Sequence, residues 1–161
     1  MKEHVPEARR GWIFREDLPP RASFVQDGGM DDQTQGVSED DGERLMRRLR
    51  AAEEGDPGAQ ATLGLMYAQG QGAPEDPEEA ARWLAKAAEQ GEIDGQLYLG
   101  AMYAQGRGVS RNFVEAYKWS RLAAAQGDAH ARENLDVLKE EMSEEQIAEA
   151  EGLIRMFEAG P

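Results

Sequence analysis

The side chains able to do chemistry are few, and none falls into a working constellation. There are two histidines, His4 and His130, and neither lies in a metal-ligand spacing. Cysteine is absent, which removes thiolate metal sites and any disulfide framework. No G-x-S-x-G nucleophile turn, phosphate loop or dinucleotide fingerprint occurs. The glycines of QGQG and QGRG end helical patterns instead of following strands, so they do not read as nucleotide loops. Carboxylate pairs such as Glu140-Glu141 sit on charged helical stretches, where they are ordinary solvated groups. The expectation is a chain with no catalytic residues, no cofactor and no metal. An enzyme would also need a pocket, which a thin two-layer helical array rarely encloses.

Charge narrows the partners. The chain carries 18 Lys+Arg against 32 Asp+Glu, a net charge of −14. That balance repels nucleic acid phosphates and anionic membrane surfaces, so a protein partner is expected, and a basic one is favoured. No stretch approaches the ~20 apolar residues of a membrane span. The opening MKEHVPEARRGWIFRED has no apolar run of signal-peptide length. A cytoplasmic location is expected, or a periplasmic one if the natural start differs.

The elements that must position any surface come from an internal repeat. Gly55–Gln90 aligns with Gly91–Gln126 over 36 residues without a gap. Shared positions include Leu63/Leu99, Gly64/Gly100, Met66/Met102, Tyr67/Tyr103, Gly70/Gly106, Gly72/Gly108, Glu79/Glu115, Trp83/Trp119, Ala87/Ala123 and Ala88/Ala124. Ala51, Ala52 and Gly55 extend the period backward, and Gly127 and Leu135 extend it forward.

Each unit reads as two helices. Ala59, Leu63, Met66 and Tyr67 form a helical stripe, closed by Gly70 and Gly72. The second helix opens on Asp76-Pro77-Glu78-Glu79, a capping-box pattern, with Asn112 and Glu115 in those places in unit two. Ala80, Trp83, Leu84, Ala87 and Ala88 form its buried stripe. Gly64, Gly100, Ala87 and Ala123 allow close helix approach, and Trp83 and Trp119 fill the wider gaps as core residues. Ser143–Gln146 is a second capping box that starts a closing helix, with Ile147, Ala150, Ile154 and Phe157 on one face and glutamates on the other. The spacing predicts seven helices over 43–54, 58–69, 77–90, 94–105, 113–126, 129–141 and 144–158. The domain reading is an N-terminal segment over 1–38 and a repeat domain over 39–161, in which a diverged unit and capping helix occupy 127–161.

These motifs resemble the Sel-one-like repeat family, a branch of the tetratricopeptide-type helical repeat proteins. The family pattern A-x3-LG-x2-Y-x2-G-x-G-V is met by Ala59, Leu63-Gly64, Tyr67, Gly70 and Gly72, and again by Leu99-Gly100, Tyr103, Gly106, Gly108 and Val109. Ala73 and Gly95 depart from it, as do Asp136 and Lys139 in the third unit. The resemblance implies an all-α, right-handed solenoid of antiparallel helix pairs that serves as a scaffold for protein–protein contacts, most often in bacteria. It implies no catalytic residues.

A partner surface is expected on the concave side, on the first helix of each unit. Its stripe includes Leu65 and Gln69; Asp94, Leu97, Ala101 and Gln105; and His130, Glu133, Val137 and Glu141. It reads as apolar in the middle and acidic toward the C-terminal end, a groove for an extended or helical segment. The alternative is that Leu65, Leu97 and Val137 pack between neighbouring first helices. Residues 1–38 fall outside the repeat. They read either as a solvated tail or, through Trp12, Phe14 and Phe24, as a peptide-like segment able to occupy a groove. Two functions follow: an adaptor or scaffold subunit, or an inhibitor or immunity-type protein that occludes a basic target. A basic, toxic or nucleic-acid-active gene neighbour would favour the second.

Overall fold

The computed structural model describes residues 39–161. Seven helices follow one another, and among the described residues there is no strand: α1 (Glu39–Glu53), α2 (Pro57–Gln69), α3 (Pro77–Glu89), α4 (Ile93–Gln105), α5 (Phe113–Ala125), α6 (Ala129–Glu141) and α7 (Glu144–Ala159). Six of the seven begin within one residue of the sequence expectation. The exception is α1, which begins at Glu39 and not at residue 43. Asp40, Asp41 and Glu43 fall in its opening turns, where carboxylates offset the partial positive charge of the exposed N–H groups.

Short-range side chains start the helices. Asp56 accepts from the Ala59 N–H at 2.7 Å, Glu92 from Gly95 at 3.0 Å and Asp128 from Ala131 at 2.8 Å. Asp76 and Asn112 cap α3 and α5 through the Glu79 and Glu115 N–H groups, both at 3.1 Å. The expected capping boxes part company here. Ser143 and Gln146 form one, each side chain accepting from the other's N–H. Glu79 does not reach back: its carboxylate accepts from the Trp83 indole N–H at 3.1 Å and from Arg82 at 3.0 Å. A buried indole donor needs an acceptor, and Glu79 sits one helical turn before it.

Each helix from α1 to α5 packs on the next, α2 also touches α4, and α7 packs on α5. The layers interlock through small residues. A Cβ on Gly64 would stand 2.6 Å from the Leu84 side chain, and one on Gly100 would stand 2.9 Å from Ser120 Oγ. Trp83 joins Ala52 and Leu63 in a core that Leu45, Leu49, Ala59 and Tyr67 complete. Trp83 and Trp119 are 7% and 5% exposed, core residues as their spacing suggested.

A polar clasp repeats between units. Gln60, buried, donates to the Ala52 carbonyl at 3.0 Å and accepts from Gln90 at 2.7 Å. Gln96, buried, donates to the Ala88 carbonyl at 3.2 Å and accepts from Gln126 at 2.9 Å. Gln126 also donates to the Gly91 carbonyl at 3.0 Å. Ala52 and Ala88 lie in the last turns of α1 and α3, and their carbonyls accept the glutamine amide in addition to the Gly55 and Gly91 N–H groups of the closing turns. The clasp thus joins the end of one unit to the first helix of the next. In the third unit exposed Arg132 holds this position. Replacing Gln96 with leucine should lower stability by about 1–2 kcal/mol, because it removes two clasp hydrogen bonds, while the Ala88 carbonyl keeps the Gly91 N–H and the Gln126 amide keeps the Gly91 carbonyl. Urea unfolding followed by circular dichroism reads this, and an unchanged midpoint would show that the clasp contributes nothing net.

Candidate partner-binding surface

The last turns of α2, α4 and α6 place Gln69, Gln105 and Glu141 at equivalent positions, one per unit, and all three are exposed. His130 and Glu133 are exposed on α6, with His130 Nδ1 3.9 Å from a Glu133 carboxylate oxygen. Asp94, Leu65 and Val137 are half-buried.

The apolar centre expected on this stripe is corrected by burial. Leu97 is 2% exposed and Ala101 is 0% exposed. The two lie one helical turn apart on the same face of α4. They are packing residues, not open contact surface. What α2, α4 and α6 expose is polar, with carboxylates concentrated on α6. The peptide-like segment of Trp12, Phe14 and Phe24 lies outside the described residues.

The C-terminal helix closes the array. Phe157 meets Trp119 edge-on at 5.4 Å between ring centres, and Ala150 and Ile154 are buried. Tyr117, 3% exposed, donates its hydroxyl to Glu151 at 2.9 Å. Burial, then the Glu151 hydrogen bond and charge, push this phenol up to about 12. It therefore stays a donor throughout the physiological range. Lys118 lies 4.4 Å from the Trp119 ring centre and 3.4 Å from Glu115, so its charge is used locally.

Among the described residues no group of three or more His, Cys, Asp or Glu could hold a metal ion. Also among them, no helix is long and apolar enough to cross a membrane.

The repeated helix pairs match a known pattern. The Sel1 repeat family model matches residues 57–92 and 93–128. A Sel1 repeat protein from Oxalobacter formigenes superposes with a TM-score of 0.57 at 40% identity, over 59% of this chain and 71% of that one. The chain belongs to the Sel1 repeat family. A protective antigen of uropathogenic Escherichia coli strains, c5321, displaying an SLR fold, is also similar, with a TM-score of 0.68 and 33% identity. The alignment covers 70% of this chain, which spans only 24% of the antigen's length. None of the curated proteins matches the chain. Sel1 repeat arrays generally serve as protein–protein interaction scaffolds, and the helix pairs here have that architecture. The two matched repeats end at residue 128, so α6 and α7 form the diverged end.

Sequence reasoning missed Gln60 and Gln96. The signal was available, since the two are 36 residues apart. Their polarity hides them from a search for an apolar stripe.

Proposed function

We propose that this Sel1 repeat chain is an adaptor that holds a basic segment of a partner protein along the exposed ends of its first helices. The observation that carries the reading is the row of Gln69, Gln105 and Glu141, one exposed polar side chain per unit at a constant 36-residue spacing. Such a row suits an extended polypeptide, whose backbone and side chains recur at regular steps. Glu133 and Glu141 give its α6 end negative charge. Because Leu97 and Ala101 are enclosed, polar contacts and charge set recognition here, and the apolar anchor lies elsewhere on the partner surface.

An inhibitor that occludes a basic target is the second reading. Residues 39–161 carry 13 Lys+Arg and 25 Asp+Glu, and 13 − 25 = −12. Affinity capture from the source cell, with binding then rebuilt from the purified partner, tests both. Glu133→Lys combined with Glu141→Lys should slow association about tenfold at low salt, and less at 0.5 M salt, because exposed charges act through a screened field. Unchanged association with every directly binding partner would remove this surface from consideration. Loss of a partner's own activity on binding would select the inhibitor over the adaptor.

A further inference from the structure

On the other side of the first helices, between α3 and the turn that follows α4, lies a cleft of about 280 Å³. Ala81 and Ala85 of α3 form one wall, Val109 forms the other, and Leu99 and Tyr103 of α4 form the floor. The lining is mostly apolar, with Glu78 and Arg82 as its charged members. The neighbouring unit treats the same place differently. Thirty-six residues after Ala81 stands Tyr117, a buried ring whose hydroxyl rests on Glu151 of α7. At the equivalent register position one unit thus carries a buried ring where the other carries the Ala81 methyl.

The electrostatics of the open cleft are negative. Glu78 stands at its edge, exposed. Arg82, also at the edge, has its guanidinium on the Glu79 carboxylate at 3.0 Å, which offsets its charge. Burial, followed by the charges of Glu115 and Glu89, raises the Tyr103 hydroxyl above the usual phenol range, so it remains protonated and able to donate.

We propose that this cleft is a second docking site, which takes an aromatic side chain flanked by lysine or arginine from a partner polypeptide. The ring replaces water against Ala81, Ala85, Leu99 and Val109. The flanking cation lies near Glu78. Aromatic anchors in small apolar pockets commonly dominate the affinity of an interface, while charges at the edge select the partner. The site supplies the apolar contact that the first-helix row lacks, but it does not depend on that row.

The test is a titration of the full chain, labelled with ¹³C at Ala, Leu and Val methyls, with blocked Lys-Trp-Lys and Glu-Trp-Glu peptides. Lys-Trp-Lys should shift the methyls of Ala81, Ala85, Leu99 and Val109. Glu-Trp-Glu should bind at least about fivefold more weakly, the effect of one or two exposed charge contacts. Ala81→Tyr, which copies the second unit, should abolish the shifts while keeping the helical circular dichroism signal. Glu78→Lys, an exposed change that leaves packing untouched, should erase the preference between the peptides. Tyr103→Phe should weaken binding and leave the ring contacts in place. Shifts confined to other methyls would overturn the proposal, as would equal binding of both peptides or undiminished binding by a folded Ala81→Tyr. Should Ala81→Tyr fail to fold, the methyl map and the Glu78→Lys comparison still decide.

Discussion

Gly108→Ala is expected to destabilise the array by about 2–5 kcal/mol, the sum of a left-handed backbone penalty and an overpacked contact. Gly108 has φ +72°, where a Cβ meets the following carbonyl. A Cβ there would also stand 2.1 Å from the Pro77 carbonyl oxygen at the start of α3. Backbone cannot rotate away as a side chain can, so the turn after α4 and the preceding unit must separate. Gly72 is the control. It has the same position in its own unit and nearly the same φ, +71°. Its Cβ would meet only the tip of the Met66 side chain, at 2.9 Å. Gly72→Ala should therefore cost only the backbone term, about 1–2 kcal/mol. Urea unfolding of both variants measures the difference. Equal losses would mean that the approach of Gly108 to Pro77 carries no energetic weight.

Trp119→Ala should lower stability by about 3–5 kcal/mol, the usual loss for truncating a buried aromatic. The ring is 5% exposed and holds Phe157 edge-on, so its removal also loosens α7 from α5. In a short array each unit is stabilised mainly by its neighbours, and the unfolding transition should broaden as well as shift. Trp83→Ala should match it in magnitude. Its ring is 7% exposed and packs with Ala52 and Leu63 near the other end of the array, so it should leave the Phe157 environment unchanged. Thermal melts together with a ¹⁹F label on Phe157 separate the two. Melting temperatures unchanged in both variants would mean that the rings do not belong to the core.

The helices, their starting caps and the burial of the tryptophans were legible in the sequence because each is a local or periodic property. A cap spans three residues, as from Asp76 to Glu79, and an amphipathic stripe is defined by the helix's own turn. A 36-residue period then assigns equivalent residues to equivalent places. Acidic residues around Asp40 and Asp41 extended α1 beyond its apolar stripe, which is why its start was misjudged.

The tertiary structure alone decided which neighbour each stripe meets. A first helix touches the preceding second helix on one side and its own second helix on another. Leu97 and Ala101, which the helical wheel placed on a partner surface, are enclosed in the packed array. Gln60 and Gln96 are polar and yet buried, because the carbonyls of Ala52 and Ala88 come from another unit to receive them. Glu79 sat in a capping-box pattern, but the Trp83 indole N–H lay within its reach and took its carboxylate. Gly72 and Gly108 are identical in type and nearly so in φ, yet only Gly108 has the backbone of an earlier unit beneath it. Periodicity along one chain specifies angles about each helix axis, and it contains no distances between helices. Those distances come from how small residues such as Gly64 and Gly100 let the layers settle, and they determine which side chains are left for a partner.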